Sequence, residues 1–322
     1  MVAFKKNNCF WLHLGGRMGY TKDSEEEESM KTYTSLIIDI EKSRAYNVTD
    51  RNKIQDFMWE CMECLNQAFQ KAMEFSMTFS GGDEIQGLFH DTTAAVLYLR
   101  LFEIMMFPVK IRAGIGMGEW NIKLDPENGL STMQDGPAYH KARYAIEEIH
   151  RTQMQRYSIV FEGKEEMANY LINASGVLKE QQSVMQNLTL LLMELLYPFA
   201  KKTALHLEPW MLGRLVDLKY HYSMEHKDFL TARKMTLQET NMLEIPQEDL
   251  LKVMEEVEIN GIYTQGEEVL IKRNMSKCIA DILACKRQNA DKLIKRGHVI
   301  QIRNMDYMAL QFLEKEYRRY GI

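Results

Sequence analysis

The chain has 322 residues, of which 46% are hydrophobic and 26% are charged, and its formal net charge is −5. This composition is typical of a soluble globular protein and excludes an intrinsically disordered one. The net charge gives no general attraction to nucleic acid or to an anionic membrane, so any such surface must be local. Five scattered cysteines predict a cytoplasmic protein without a disulfide framework. The longest apolar run, residues 188–200, is too short to span a bilayer, so no membrane partner is expected.

The first 29 residues end in an acidic run, Asp-Ser-Glu-Glu-Glu-Glu-Ser at 23–29. A run of this kind is solvated, so we expect residues 1–29 to form a poorly ordered acidic extension. Met30 follows directly and is a candidate for the natural start.

From residue 32 onward, strand-type and helix-type patterns alternate. The predicted elements, in chain order, are a strand at 32–40, a helix at 50–73, strands at 75–80 and 85–90, a helix at 91–105, a strand at 109–116, a helix at 136–150 and a strand at 158–161. This β-α-β-β-α-β order predicts an α+β fold of the ferredoxin-like kind, a mixed sheet with helices on one face. Beyond it the pattern is mostly helical, with apolar periodicity at 184–199 and 211–222.

Two of the predicted strands end at carboxylates. Asp39 closes the run Ile-Ile-Asp-Ile at 37–40, and Asp83 and Glu84 complete the hairpin turn Gly-Gly-Asp-Glu at 81–84. In neighbouring strands, Asp39 and Asp83 would meet at one edge of the sheet, with Glu84 as a candidate third group. A carboxylate pair of this kind holds Mg²⁺ or Mn²⁺ in two-metal phosphoryl transfer. The alternative is that Asp39 merely ends a strand and that the turn is only a favourable hairpin.

Other polar residues of this region have two interpretations each. Ser43 and Arg44 follow the first strand, where the loop either passes near bound phosphates or is capped locally. His140 is either a general base or ribose contact, since histidine titrates near neutral pH, or a hydrogen-bonded helix residue. Arg112 lies inside a strand, which favours pairing with a carboxylate over binding a phosphate.

Four blocks in this order resemble the motif series of the bacterial SatD family. They are Ile-Asp-Ile-Glu-Lys-Ser-Arg at 38–44, Gly-Asp-Glu-Ile-Gln-Gly-Leu at 82–88, Arg-Ala-Gly-Ile-Gly-Met-Gly at 112–118 and Asp-Gly-Pro-Ala-Tyr-His-Lys-Ala-Arg at 135–143.

The same blocks resemble the palm domain of class III nucleotide cyclases and of GGDEF diguanylate cyclases. The resemblance implies a purine nucleotide, ATP or GTP, bound with Mg²⁺ or Mn²⁺, and a homodimer, because such domains commonly build one site from two subunits. The residues it implies are Asp39 and Asp83 as metal ligands, Glu84 beside them, the Ile40 carbonyl as a further ligand, Gly81 and Gly82 for close approach of the nucleotide, and Arg143 as a triphosphate contact.

This chain departs from the cyclase pattern at two places. Ile85 stands where diguanylate cyclases have a phenylalanine. His140 stands where class III cyclases usually have an asparagine, and Arg143 follows three residues on instead of four. Three functions therefore stay open, namely a cyclase, another nucleotidyl transfer, and a nucleotide sensor without turnover.

The C-terminal part contains a basic segment with the pattern of a helix-turn-helix. Residues 272–319 hold twelve Lys or Arg against five Asp or Glu. Ser276 is a candidate N-cap of the first helix, Ala284 the small residue of the tight turn, and Gly297 the end of the second helix. The second helix presents donors suited to phosphates and base edges, namely Lys286, Arg287, Gln288, Asn289, Lys292, Lys295 and Arg296. The alternative is a solvated basic hairpin that docks on the acidic remainder of the protein.

Together these patterns predict an extension at 1–29, a cyclase-like palm domain at 30–165, a helical connecting region at 166–265 and a helix-turn-helix domain at 266–322. The leading hypothesis is a SatD-like cytoplasmic protein whose palm domain binds a purine nucleotide with Mg²⁺ and whose C-terminal helices bind duplex DNA. If the protein is an enzyme, the expected activity is that of a nucleotidyl cyclase. The alternatives are a nucleotide-sensing transcriptional regulator without turnover, and a scaffold or adaptor with a vestigial site.

Overall fold

The structure is a computed structural model, and it describes residues 31–120, 129–201, 204–206, 208–225, 254–263 and 269–317. The predicted acidic extension at 1–29 lies outside the described residues, as does residue 30. Within the described residues, no helix is both long enough and apolar enough to cross a membrane.

The first part of the chain alternates strands and helices nearly as the sequence predicts. Its elements are β1 (Tyr33–Ile40), α1 (Val48–Ala68), β2 (Met73–Gly81), β3 (Glu84–Phe89), α2 (Thr92–Met106), β4 (Ile111–Gly118), α3 (Pro137–Thr152) and β5 (Tyr157–Val160). The remaining elements are mostly helical, and they are α4 (Glu166–Glu180), α5 (Val184–Leu196), β6 (Phe199–Ala200), α6 (Pro209–Glu225), β7 (Val257–Glu258), α7 (Met275–Ile282), α8 (Arg287–Arg296) and α9 (Val299–Tyr317). The mixed α+β class is therefore confirmed.

Five of the strands form one sheet in the order β2-β3-β1-β4-β5. All neighbours are antiparallel except β4 and β5, which run parallel. The register places Ile38 opposite Ile85 on β3, and Asp39 opposite Arg112 on β4. The end of β1 therefore lies between the start of β3 and the start of β4.

Helices cover both faces of the sheet, so the expectation of helices on one face alone is wrong. Leu36 and Ile38 of β1 belong to the main hydrophobic cluster, together with residues of α1 and α2. Ile37, which points to the opposite face, packs against Ala142 and Ile146 of α3. Successive side chains of a strand alternate between faces. Because β1 is apolar on both, each face requires a cover.

Glycines of β4 let α3 approach the sheet closely. A Cβ atom added at Gly116 would lie 2.1 Å from the Ala142 nitrogen and 2.3 Å from the Ala138 carbonyl oxygen. A Cβ atom at Gly114 would lie 2.4 Å from the Ala142 carbonyl oxygen. Only a residue without a side chain fits under the backbone of α3 at these positions. This contact fixes α3 against β4, beside the first half and the middle of β1.

The hydrophobic core continues from the sheet into the C-terminal helices. Every residue of α2 is buried. The main cluster runs from Leu36 of β1 to Tyr317 of α9, and includes residues of α5 and α6 on the way. The division into domains at 30–165, 166–265 and 266–322 stays a prediction.

Candidate functional site

The Asp39 carboxylate is held by two side chains on the face of the sheet that α3 covers. Arg112 donates from Nε to Oδ1 at 3.1 Å and from Nη2 to Oδ2 at 3.2 Å. Nε2 of His150, in the last turn of α3, lies 2.8 Å from Oδ2. Burial raises the pKa of the Asp39 carboxyl, and Arg112 and His150 oppose that rise. The expected pairing of Arg112 with a carboxylate is confirmed.

Glu84 is held in a similar way at the start of β3. Arg143 of α3 donates from Nη1 to Oε2 and from Nη2 to Oε1, both at 2.7 Å. The Ser80 hydroxyl donates to Oε1 at 2.6 Å. Burial by itself would raise the pKa of Glu84, but the hydrogen bonds from Arg143 and Ser80 outweigh it and hold that pKa below its ordinary value. Arg143 is therefore engaged by a carboxylate in this arrangement.

The hairpin turn itself is open. Gly82 adopts a φ of +61°, in the left-handed region that favours glycine. A Cβ atom added at Gly81 or Gly82 would meet nothing within 4 Å. Asp83, half-buried at this tip, makes no hydrogen bond or ion pair with another described residue. It is the carboxylate of the turn that stays available to a ligand.

The remaining predicted site residues lie around this cluster. The Ile40 side chain is buried in the main cluster, which leaves only its backbone for a ligand. Ser43 lies in a single 3-10 turn together with Arg44, and Arg51 donates to the Ser43 carbonyl at 3.4 Å. His140 is mostly exposed and pairs with Asp135 through Nε2 at 2.6 Å, rather than with Asp39 or Glu84.

The cluster thus brings together Asp39, Glu84, Arg112, Arg143 and His150. Sequence reasoning missed His150. The sequence does contain a sign of it, because His150 lies seven residues after Arg143. Two helical turns return a side chain to the same face of a helix, so both residues lie on one face of α3. Reading the face of α3 together with the register of β1 would have found it.

The carboxylates of this cluster do not fit a two-metal centre as they stand. Both oxygens of Asp39 and both oxygens of Glu84 accept hydrogen bonds from cationic or potentially cationic groups. A divalent ion at either carboxylate would meet repulsion from the guanidinium groups. Over the described ranges, no group of three or more His, Cys, Asp or Glu side chains could hold a metal ion.

The predicted basic segment forms two short helices, α7 and α8. Ala284, between them, adopts a φ of 47°, and Ala290 of α8 is fully buried. Asn274, rather than the predicted Ser276, occupies the N-cap position of α7. Gly297 follows α8 as predicted, and its carbonyl accepts from Gln182 at 2.6 Å.

One face of α8 is exposed and carries no ion pair with the described residues. All seven predicted DNA-contacting side chains are exposed, namely Lys286, Arg287, Gln288, Asn289, Lys292, Lys295 and Arg296. None of the five cations among them forms an ion pair with a described residue. These five cations therefore do not dock on acidic residues among the described contacts, although the basic segment itself packs on the rest of the protein, where Lys272 pairs with Glu255.

Comparison with known proteins identifies a family. The model of the SatD family matches residues 33–199, from β1 to the start of β6 and just over half of the chain. No curated protein and no solved structure matches the chain. The basic helices α7 and α8 lie beyond the matched residues.

Proposed function

This chain belongs to the SatD family, and from that premise we propose that it is a nucleotide-responsive DNA-binding protein. The region around β1 and β3 binds ATP or GTP, and α8 contacts duplex DNA. The protein acts as a homodimer, as its likeness to the palm domains of cyclases implies.

The observation that carries the proposal is the free basic face of α8. Five cations and two amides lie on and beside one exposed helix. The cations suit contact with phosphates, and the amides suit hydrogen bonds to base edges. The small, buried Ala290 lets the opposite face of α8 pack closely. The family match ends at residue 199, so this part of the proposal is independent of it.

Nucleotide binding is supported by the sheet end. The strand order β2-β3-β1-β4 with its crossing helices agrees with the order of a ferredoxin-like sheet, which supports the likeness to palm domains. Mg²⁺ commonly binds proteins through one or two carboxylates together with nucleotide phosphates. Asp83 is the carboxylate suited to that role, and the open turn at Gly81 and Gly82 allows close approach.

DNA binding is tested by the fluorescence anisotropy of a labelled duplex titrated with the full chain at several KCl concentrations. We expect binding that weakens steeply as salt rises, because phosphate contacts release counterions. The absence of salt-sensitive binding, with and without ATP or GTP, would remove DNA from the proposal.

A nucleotidyl cyclase is the second candidate function. It is favoured by the position of Asp39 and Glu84 on neighbouring strands, with Arg143 beside them. It requires the pairs Asp39–Arg112 and Glu84–Arg143 to open, because both carboxylates are already neutralised. Incubation with ATP or GTP and Mg²⁺ or Mn²⁺ separates the candidates. Release of pyrophosphate that is lost in Asp83→Asn supports the enzyme, and nucleotide binding without release supports the sensor.

A further inference from the structure

Nine charged side chains form one alternating chain through the protein. Cation and anion follow each other in the order Lys110, Glu180, Arg156, Glu103, Lys179, Asp306, Arg100, Glu194 and Arg303, with N–O distances of 2.6 to 3.3 Å. Both ends of the chain are cations, so the formal charge of the nine groups is one positive. Buried charges are stable when they are paired, so the buried end at Arg303 requires partners within the protein, whereas Lys110 at the other end is half-exposed.

The inner end of the chain has its partners within the protein. Arg303 is fully buried in α9 and donates to the carbonyl of Met193 at 3.2 Å and to that of Tyr197 at 2.5 Å. These carbonyls lie at the C-terminus of α5, where the helix dipole favours a cation. The excess charge is therefore left at the outer end, near Lys110 and Arg156.

The outer end opens into a cavity of about 270 Å³. Its lining contains three cations, Lys110, Arg156 and Lys179, against the two carboxylates with which they pair, Glu103 and Glu180, so one positive charge is in excess there. The apolar segment Phe107-Pro108-Val109 forms another part of the wall. A neighbouring cavity of about 360 Å³ shares Lys110 and Arg156 with it. Lys110 is half-exposed, whereas Lys179 is buried, so the cavity leads from solvent to the buried part of the chain.

Asn187, which also lines this cavity, has an unsatisfied acceptor. Its side chain is fully buried, and Nδ2 donates to Gln182 at 3.1 Å. Its Oδ1 has no hydrogen-bond partner among the described residues. Buried polar atoms are nearly always paired, so a ligand or a water molecule that donates to this oxygen would complete its hydrogen bonding.

We propose that this cavity binds a small organic carboxylate that also carries an N–H or O–H donor. The carboxylate pairs with Lys110 and Arg156, the donor satisfies Asn187, and the carbon skeleton lies against Phe107-Pro108-Val109. The volume suits a hydroxy acid or amino acid and is small for a whole nucleotide. This site is separate from the proposed nucleotide site and does not depend on it.

The test is a titration of the full chain with glycolate and L-lactate, each compared with its analogue without a hydroxyl group, acetate and propionate. Affinity is measured from the rise in unfolding temperature with ligand concentration. We expect a hydroxy acid to bind about tenfold more tightly than its analogue, as one added hydrogen bond in a buried site allows. Lys110→Gln should weaken binding about tenfold, and Asn187→Ala should remove the preference for the hydroxyl group.

Lys164→Gln is the matched control. Lys164 is also a partly exposed lysine paired with a glutamate, Glu148, and it lies outside the cavity lining. This variant should bind as the wild type does. Equal binding of hydroxy acids and their analogues by the wild type would overturn the proposal, because Asn187 would then be satisfied by water alone. Unchanged affinity in Lys110→Gln, which is half-exposed and should fold, would overturn it as well.

Discussion

At the scale of single residues, the candidate site is defined by how its carboxylates are neutralised. Asp39 and Glu84 both lie at the end of the sheet under α3, where burial makes an unpaired charge costly. Arg112 and Arg143 each pair with one of them through two hydrogen bonds, a geometry that lysine cannot reproduce. A ligand with its own anionic groups would compete with these carboxylates for the same guanidinium groups.

Arg143→Ala should weaken the binding of ATP and GTP far more than that of adenosine or guanosine. The loss follows from removing a guanidinium suited to a triphosphate, and about tenfold is expected for one charge-assisted contact. Isothermal titration of nucleotide and nucleoside measures it. Arg151→Ala is the control, because Arg151 lies on the same helix but is exposed and pairs with Glu148. Equal losses for nucleotide and nucleoside would make Arg143 a structural residue.

The pKa of Glu84 predicts a pH dependence of stability. Its folded-state pKa lies below the ordinary value of 4.5, so Glu84 stabilises the fold above that value, and the contribution is lost as pH falls through the folded pKa. Glu84→Gln should therefore lower the free energy of unfolding by about 1 kcal/mol at pH 7, and by much less at the acid end. Urea unfolding at a series of pH values measures this. A difference that is constant over the whole pH range would show that the ion pair contributes nothing.

These residues also show what the sequence can predict about the site. Asp39 and Glu84 stand out because each lies next to an apolar strand, and their neighbourhood follows from the strand order. Their partners could not be assigned in the same way, because Arg143 and His150 reach them from α3, a helix that covers the face of the sheet opposite to α1 and α2. Which face a helix covers depends on the crossover, and the local pattern of the helix does not contain that information.

At the scale of elements, the position of α3 depends on the glycines of β4. The run Arg-Ala-Gly-Ile-Gly-Met-Gly at 112–118 is recognisable in the sequence as a family motif. Its physical reason appears only once α3 is known to pack on that strand, since Gly114 and Gly116 lie under the helix backbone. The elements themselves were largely predictable, because hydrophobic periodicity is a local property.

Gly116→Ala should destabilise the protein by about 3 kcal/mol, because the added methyl group would overlap the backbone of α3 and push the helix from the sheet. Gly81→Ala is the matched control, as its added methyl group meets nothing within 4 Å. Chemical unfolding of both variants measures the difference. Similar stabilities for the two variants would mean that α3 does not pack closely on β4.

For α8, replacing Lys292 and Lys295 together by Gln should reduce affinity for duplex DNA. It should also flatten the log–log dependence on salt by about two units, one per phosphate contact. Gln288→Ala and Asn289→Ala should instead relax sequence preference, because amides read base edges. Anisotropy titrations on specific and random duplexes measure both effects. A salt slope that is unchanged in the double lysine variant would exclude α8 as the contact surface.

At the scale of the whole molecule, the sheet and the C-terminal helices share one interior. The main hydrophobic cluster joins them, and the alternating chain of charges runs from Lys110 at the start of β4 to Arg303 in α9. Long-range pairs of this kind cannot be read from a single sequence, because buried Arg and Asp resemble surface residues in any local pattern. A shared interior joins the proposed nucleotide site to α8 by packed side chains, which are one means of coupling two sites.

The coupling of nucleotide binding to DNA binding is tested by measuring the affinity of the full chain for duplex DNA with and without Mg²⁺-ATP or Mg²⁺-GTP. At least one nucleotide should shift this affinity by about fivefold or more, a typical coupling between sites. Asp83→Asn should abolish the shift while salt-sensitive DNA binding remains. The proposal would be contradicted by an affinity that neither nucleotide changes, or by a shift that persists undiminished in Asp83→Asn.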